Sequence, residues 1–421
     1  MPTIVRVRRT IGGALGIAIL ALAAAGCSGQ PAAPASAGHG RPLPASSLPP
    51  PVHPVAHPAG VVTRTQPRCS TATQVAPRLP PVTISMSGTP LNPFDVVVAP
   101  GNRWAFVSLT GANAIEVLRV ESSGGVSPVR RISLPVGPLG ETLTPNGRYL
   151  LAADGAGGAE VVSVAAAESG VRHPVLGDLT SYEGLGAISV TVSPDGRFAF
   201  VVLEDSAEIA VFNLGRAIAA HLAPGVGYLG AVSVGPTPTE VAFSPDGRWL
   251  YATSEGTALN VPGTLELISA ARAESEPSDV VVRSVRAGCN PVRVLVAPDG
   301  VLWVTARASD AVLAFSAVRL QAGTKGPLLA VVRVGSAPVD LALAGSRLVV
   351  TDSDRFDVPG GAASLAVIDA TAALAGRPAL LGYLPAGGFP RQITAEPQGP
   401  DLLVTNYSSS QLETVRVADL P

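Results

Sequence analysis

The stretch Ser193-Pro194-Asp195-Gly196-Arg197-Phe198 lies between two apolar runs, and the same phrase recurs along the chain. The copies, two of them degenerate, begin at Ala99, Thr144, Ser193, Ser244, Ala297, Ala344 and Glu396. The prolines of the first five copies are 45, 49, 51 and 53 residues apart. This is the period of propeller blades rather than of shorter solenoid coils. The chain therefore contains seven units of one kind.

Each copy of the phrase has the chemistry of a hairpin turn. Proline sets φ near -65°, Asp or Asn bonds the backbone of its own turn, and Gly accepts a positive φ. The turn joins an inner strand to a second strand, where we expect one large residue in register to fill the wedge between neighbouring blades. These residues are Trp104, Tyr149, Phe198, Trp249, Leu302, Leu348 and Leu402.

Third and outer strands follow the turns, so each unit is predicted to be a four-stranded blade. The last unit lacks an outer strand after Gln411 to Val417, whereas one strand, Val82 to Ser87, precedes the first unit. Pairing these two strands would complete the last blade and close the ring, which removes the edges that an open array would leave. With 45 Gly, 40 Pro and only 4% aromatic residues, the composition agrees with many short strands. We predict an all-β, seven-bladed β-propeller closed by its N-terminal strand.

The N-terminus has the plan of an export signal. Arginines at positions 6, 8 and 9 precede the apolar run from Ile11 to Ala25, and Gly26-Cys27 follows. This is typical of a signal peptide over residues 1–26 that ends in a lipobox. Cys27 would then carry acyl chains, palmitate among them, and anchor the protein to the outer face of the cytoplasmic membrane. The alternative is an ordinary secretory peptide cut near Ala25.

Residues 27–80 are rich in Pro, Ala and Ser without apolar periodicity, which predicts a spacer between the lipid and a propeller over residues 81–421. Cys69 and Cys289 are the two cysteines left over. Cysteines in an exported domain tend to pair, so a disulfide is expected. Two buried or unpaired thiols are the alternative.

The segment Val404-Thr405-Asn406-Tyr407, followed by a short loop and a Val-containing strand, resembles the YVTN repeat. Together with the Ser-Pro-Asp-Gly-Arg copies, it is similar to the YVTN and lactonase-like propellers over about residues 82–421. The resemblance implies a 6-phosphogluconolactonase-like fold and allows hydrolysis of a sugar lactone. Because propellers host unrelated activities, it is specific for fold and not for function.

Propeller ligands bind at the mouth, where the inner strands begin. Counting back from each turn places one set of side chains there, with Glu141 and Asp340 displaced by one residue in shortened copies. The set is Asp95, Glu141, Ser189, Glu240, Arg293, Asp340 and Gln392. The loops after the second strands add Glu204, Asp205, Glu255, Asp352, Asp354 and Asp357. We therefore expect an acidic face that takes a cation or a polyhydroxylated ligand.

No cofactor is implied, except for a divalent cation with Asp352, Asp354 and Asp357 as its candidate oxygen ligands. The net charge of -2, with interleaved acids and bases, gives no basic stripe for nucleic acid. The expected partners are a membrane through the lipid at Cys27 and either an envelope protein or a small polar ligand.

A scaffold that binds a ligand or a protein is favoured over catalysis, because the chain has no nucleophile elbow, zinc motif or phosphate loop. If the protein is an enzyme, the sequence favours a lactone hydrolase. Glu240 or Asp95 would then act with Arg293 on the lactone.

Overall fold

The computed structural model describes residues 62–69, 78–80, 82–88, 91–181, 184–357 and 361–421. The predicted signal peptide, Cys27 and most of the predicted spacer lie outside these residues. Within the described part of the chain, no helix is long and apolar enough to cross a membrane.

Seven antiparallel sheets form the fold, and six of them have four strands. Two strands precede the first blade: β1 (Val62–Thr63) and β2 (Ile84–Gly88). Blades 1 to 3 consist of β3 (Pro93–Val98), β4 (Trp104–Leu109), β5 (Ala114–Val120) and β6 (Val126–Ser133); β7 (Glu141–Leu143), β8 (Tyr149–Ala153), β9 (Gly158–Ser163) and β10 (Val175–Thr180); and β11 (Ala187–Val192), β12 (Phe198–Leu203), β13 (Glu208–Asn213) and β14 (Tyr228–Ser233). Blades 4 to 7 consist of β15 (Pro238–Phe243), β16 (Trp249–Ser254), β17 (Pro262–Ser269) and β18 (Val281–Cys289); β19 (Pro291–Val296), β20 (Val301–Ala306), β21 (Ala311–Ser316) and β22 (Leu328–Arg333); β23 (Pro338–Ala344), β24 (Arg347–Asp352), β25 (Ser364–Asp369) and β26 (Leu380–Pro385); and β27 (Pro390–Ala395), β28 (Asp401–Asn406) and β29 (Gln411–Arg416).

The blades are arranged in a ring. Each inner strand contacts the inner strands of the two neighbouring blades, and β27 of blade 7 contacts β3 of blade 1. Clusters of buried Val, Leu, Ala and Phe side chains lie across these blade-to-blade contacts, as where Leu151 and Val161 of blade 2 cluster with Val201 of blade 3. The predicted seven-bladed all-β propeller is confirmed.

Strand β2 is the outer strand of blade 7. It pairs antiparallel with β29, with Ile84 opposite Val415 and Gly88 opposite Gln411. The last blade is thus built from both ends of the propeller segment, as the missing outer strand predicted.

The repeated phrase forms the predicted turns. In blade 3 the Asp195 carboxylate accepts hydrogen bonds from the Ser193 hydroxyl at 2.6 Å and from the Arg197 amide at 3.0 Å. Asn146 and Asp246 repeat this arrangement. The glycine that follows, Gly196, has a φ of 72°, which a residue with a Cβ rarely adopts.

The predicted register of the large residues is wrong in blades 5 to 7. In blades 2 to 7 the first residue of the second strand pairs with the last residue of the third strand, as Phe198 does with Asn213. In the later blades this position belongs to Val301, Arg347 and Asp401, so Leu302, Leu348 and Leu402 lie one residue further along. The turns in these blades are one residue shorter or degenerate, and each single-residue shift moves a side chain to the other sheet face.

Short helices connect third and outer strands in blades 2 to 6, a feature that the sequence analysis did not predict. They are α1 (Val164–Ser169), α2 (Leu214–Ala219), α3 (Ala270–Ser275), α4 (Ala317–Ala322) and α5 (Ala370–Leu374). In four of the five, the last residue of the third strand caps the helix with its side chain, as Ser163 and Asp369 do. Ser, Asn and Asp are favoured at this position because they accept bonds from free amides of the first turn.

Two described stretches before β2, residues 62–69 and 78–80, contact the outer strands of the ring. Strand β1 adds to the outer edge of blade 5 by pairing antiparallel with β22, and Arg78 bridges to Tyr383 on the outer strand of blade 6. Between these contacts, Cys69 and Cys289 form a disulfide with a Cα–Cα distance of 5.3 Å. The predicted disulfide is confirmed, and it joins the first of these stretches to the chain just before inner strand β19.

Candidate functional site

The candidate site is the ring of side chains on the inner strands. Six of the seven predicted positions are equivalent in the structure. In each of these six blades, the residue after the predicted one pairs with the fourth residue of the second strand. Asp340 is among them and is not displaced. Glu141 is displaced: it occupies the next position, where the other blades have Val, Leu or Ile, and Gly140 holds the ring position in blade 2.

Arg293 is the central cation of this ring. Its side chain is 5% exposed, and its Nε lies 2.8 Å from Oε2 of Glu240, whose side chain is 25% exposed. Its Nη1 donates to the Thr239 carbonyl. The charge of Arg293 also acts on Asp95 and Asp340, whose pKa values it lowers. The structure thus brings together the three residues that the sequence proposed for chemistry, Asp95, Glu240 and Arg293.

Burial nevertheless has the largest effect on the pKa values of the acids in the ring. Removal from water raises the pKa of Asp95 to about 7, that of Glu240 to about 7 and that of Asp340 to about 6, despite the opposing effect of Arg293. Desolvation disfavours the charged carboxylate, and a second nearby acid has the same effect. The ring therefore holds acids that exchange protons near neutral pH.

Backbone amides hold two of these carboxylates in place. Asp95 accepts from the Glu141 amide of blade 2 at 2.9 Å, and Asp340 accepts from the Ile393 amide of blade 7 at 2.8 Å. In both cases a carboxylate from one inner strand bonds the next blade. These acids therefore position the ring as well as line it.

The Glu141 carboxylate is buried between blades 1 and 2, and neither oxygen has a hydrogen-bond partner of good geometry among the described residues. Burial and the nearby Asp95 raise the pKa of Glu141 well above its usual range, and the Ser108 backbone opposes this only in part. Glu141 is therefore a neighbour of the ring and not a ligand-facing member of it.

Arginines as well as the predicted acids occupy this face. The Arg391 guanidinium lies over the Phe94 ring, with Cζ 3.5 Å from the ring centroid, and Arg307 makes a buried ion pair with Glu255 at 2.5 Å. Burial, together with the charges of Arg293, Arg307 and Arg355, lowers the pKa of Arg391 to about 9. The mouth is of mixed charge, and its arginines come from positions beside those that the repeat identified.

Several polar atoms at the mouth are buried without a hydrogen-bond partner in the described structure, among them Nε of Arg391 and Oε1 of Gln392. Buried polar atoms are almost always bonded. Unbonded donors and acceptors at the mouth are groups that a polar ligand would satisfy.

The candidate cation ligands Asp352, Asp354 and Asp357 do not gather. Within the described residues, no three His, Cys, Asp or Glu side chains form a group that could hold a metal ion. Asp352 is buried and accepts from the Ser364 hydroxyl, which ties it to its own blade. Asp352 ends strand β24, whereas Asp354 and Asp357 follow it in the connection to β25.

A set of hydroxyls behind the ring escaped the sequence analysis. The Thr305 hydroxyl accepts from the Arg293 amide and donates to the Val339 carbonyl of the next blade. Thr405 links Gln392 to Phe94 in the same way, and Thr253 donates to Val292. The signal was available, since each hydroxyl is the fifth residue of its second strand.

A groove lies away from this ring. It has a volume of about 930 Å³ and lies between the outer strand β6 of blade 1 and the α1–β10 connection of blade 2. The carboxylates of the ring do not contribute to its lining.

No protein-family model matches the chain, and no curated protein matches it in sequence. Among solved structures it is similar to the hydrazine synthase of Kuenenia stuttgartiensis, with a TM-score of 0.60 at 17% identity over 79% of this chain and 98% of that one. It is also similar to virginiamycin B lyase from Staphylococcus aureus, with a TM-score of 0.56 at 11% identity over 79% and 99% of the two chains. At these identities the similarity shows the propeller fold alone, and the resemblance to YVTN and lactonase-like propellers stays a prediction.

Proposed function

We propose that this protein is an envelope-anchored β-propeller scaffold whose mouth binds a small polyhydroxylated ligand that carries an acidic group. The observation that carries the proposal is that half-buried Arg391 and Gln392, neighbours on β27, each have a buried polar atom without a hydrogen-bond partner, beside carboxylates that share Arg293. Guanidinium groups recognise carboxylates in two-point geometry, and carboxylates accept from hydroxyls.

The stacking of Arg391 on Phe94 supports this assignment. A guanidinium held over an aromatic ring is pre-oriented, so binding an acidic group there costs little side-chain entropy. Because its surroundings contain three further arginines that lower its pKa, an incoming anion would relieve repulsion among them. This favours an anionic ligand over the cation that the acidic residues alone suggested.

The test uses gluconate, an open-chain polyhydroxy acid, and glucose as its neutral counterpart, both titrated calorimetrically. We expect gluconate to bind and Arg391→Met to weaken that binding about tenfold or more, as the loss of a charge-assisted bond implies. The matched control is Arg248→Met, since Arg248 makes an exposed ion pair with Asp246 in a turn. Equal binding of gluconate by Arg391→Met and Arg248→Met would show the proposal to be wrong. So would the absence of a preference for gluconate over glucose.

Hydrolysis of a sugar lactone is the second candidate, favoured by the ion pair of Glu240 with Arg293 and by a Glu240 pKa of about 7. Glu240 would take a proton from water as the water oxygen attacks the carbonyl carbon, and would return it to the alkoxide as the ring ester bond breaks. Arg293 would stabilise the oxyanion. Turnover of glucono-δ-lactone above the uncatalysed rate that Glu240→Gln abolishes and Arg248→Met retains is the expected result; turnover that persists in Glu240→Gln excludes this role.

Attachment to the outer face of the cytoplasmic membrane through Cys27 is the remaining part of the proposal. Its support is the N-terminal sequence, with a basic segment, an apolar run and Gly26-Cys27. We expect the wild-type protein to take up labelled palmitate and to partition into detergent. Cys27→Ser should lose both properties, with Cys289→Ser as the control that keeps them. Labelling of Cys27→Ser would refute the anchor.

A further inference from the structure

The groove between blades 1 and 2 takes no part in the mouth. Three arginines and one histidine line it, and no carboxylate does: Arg130, Arg131, Arg172 and His173. Arg172 and His173 are exposed, and neither has an ion pair with another described residue. The groove is therefore cationic, with side chains free to meet an anion.

Two of the arginines are held in place by the protein. Arg130 donates to the Ala167 carbonyl of blade 2 at 2.9 Å and packs over Gly170, where a Cβ would come within 2.5 Å of its guanidinium. Arg131 pairs with Glu116 of its own blade at 2.7 Å. The positive floor of the groove is thus pre-formed across the blade junction.

Apolar side chains are exposed along the same groove. Val171 lines it and is 56% exposed, while Val129 and Leu176, which adjoin lining residues, are 42% and 45% exposed. Exposed apolar groups next to fixed charges mark interaction surfaces. An alternation of apolar and acidic side chains would complement both.

The outer edge of β6 is bare among the described residues, whereas the equivalent edges of blades 5 and 6 are covered. In blade 5, β1 pairs with Val331 and Val332, and in blade 6 Arg78 bridges to Tyr383. Arg131 and Val331 hold equivalent positions on their outer strands. Each pairs with a third-strand residue that in turn pairs with the fourth residue of the second strand. The fold thus accepts an added strand at the position that Arg131 and Ile132 leave open.

We propose that this groove binds an extended acidic segment of another protein, which adds a strand to β6 and places its carboxylates against Arg172 and His173. The spacer of this chain is excluded as the occupant, because residues 28–61 contain no Asp or Glu. Main-chain bonds supply affinity in this mode and the alternating side chains supply specificity. The inference does not depend on ligand binding at the mouth.

The experiment uses the exported full chain and short labelled peptides in which Val alternates with Glu, Gln or Lys. We expect the Glu peptide to bind, the Gln peptide to bind more weakly and the Lys peptide not to bind. The double variant Arg172→Ser, His173→Ser should weaken binding of the Glu peptide about tenfold or more. The matched control is Arg377→Ser, which removes the exposed arginine just after α5, beside the edge that β1 already covers; it should bind as the wild type does.

Two further arms separate the parts of the proposal. A Glu peptide methylated on alternate backbone nitrogens keeps its charge and cannot pair with a strand, so it should lose binding. Unchanged binding of that peptide, or equal affinity of the wild type and the double variant, overturns the proposal. Binding to phosphatidylglycerol vesicles that needs Arg172 and His173, without binding of the Glu peptide, overturns it in favour of a lipid surface. Mouth variants such as Arg391→Met leave all these results unchanged, so failure here is distinct from failure at the mouth.

Discussion

At the scale of the residue, Glu141 is a buried carboxylate near the inner strands that lacks a hydrogen-bond partner among the described residues. Glu141 occupies a position between blades that holds Val, Leu or Ile elsewhere, as Val241 does in blade 4. An unsatisfied buried polar group costs about 1 to 3 kcal/mol. The chain therefore carries a local defect that hydrophobic packing in the other blades does not have.

Glu141→Val is expected to stabilise the protein by about 1 to 3 kcal/mol, because it removes the desolvation cost and restores the packing of the other blades. Urea unfolding at neutral pH measures the effect. Glu121→Val, at an exposed position, is the control and should change stability little. A Glu141→Val protein that is less stable than the wild type would show that the carboxylate has a partner that holds the blades together.

The acids with raised pKa values also fix the sign of the pH dependence of stability. Burial raises the pKa of Asp95 and Glu240 to about 7 and that of Asp340 to about 6, so the folded protein holds these protons to higher pH than the unfolded chain does. Their contribution to stability is complete below the unfolded pKa, about 4, and is lost as the pH rises to about 7.

We therefore expect the free energy of unfolding to fall by about 2 kcal/mol or more between pH 4.5 and pH 7.5, measured by urea titration at each pH. The double variant Asp95→Asn, Asp340→Asn should flatten this slope. Asp246→Asn is the contrasting control, since hydrogen bonds lower the pKa of Asp246 to about 2. A wild-type stability that rises across this range contradicts the assignment.

At the scale of the element, the segment before β2 is an outer strap of the propeller. Val62 and Thr63 pair with β22, the Gln66 side chain bonds the backbone at Arg286 and Gly288, and the disulfide follows at Cys69. The side-chain amide of Gln66 donates one hydrogen bond and accepts one, as the backbone of a paired strand residue does. The spacer therefore ends at this strap and not at the propeller's first blade.

Replacing both Cys69 and Cys289 by Ser should destabilise the protein by about 2 to 4 kcal/mol, because the disulfide closes a long loop in the unfolded chain. Thermal unfolding with and without dithiothreitol measures the effect. The double variant itself should not respond to the reductant. Identical unfolding of the oxidised and reduced wild-type protein would mean that the strap contributes nothing to stability.

At the scale of the whole molecule, the ring depends on a strand that comes from the opposite end of the propeller segment. Strand β2 is the outer strand of blade 7, and the Thr405 hydroxyl of that blade donates to the Phe94 carbonyl of blade 1. Blade 7 therefore joins the two ends of the ring through both its outer and its second strands.

Deletion of residues 81–88 is expected to destabilise the propeller strongly, because it exposes the edge of β29 and the Leu and Val side chains packed behind it. Deletion of residues 30–61, which stops short of β1, should leave the unfolding temperature unchanged. Differential scanning calorimetry of the two proteins makes the comparison. Equal stability of both would show that blade 7 folds with three strands.

Sequence reasoning reached the mouth where the repeat was regular and failed where it was not. Asp95, Glu240 and Arg293 are found together because each stands four residues before an intact turn motif. Arg391 and Arg307 were not predicted. Arg391 lies at a bulge beside the ring position, and Arg307 lies on the loop of a neighbouring strand. A sequence repeat identifies equivalent positions along the chain, whereas the charge of the mouth depends on side chains that several blades contribute.

By itself the sequence determined the number of blades, the turns, the origin of the closing strand and the likelihood that two leftover cysteines pair, since these follow from local backbone preferences and from repetition at a fixed period. Only the tertiary structure decided which way side chains face and what they meet. It moved Glu141 into an apolar junction, balanced the expected acidic face with arginines and opened a cationic groove between blades 1 and 2. The physical reason is that burial and electrostatic contact depend on distances between blades, which are set when the ring packs.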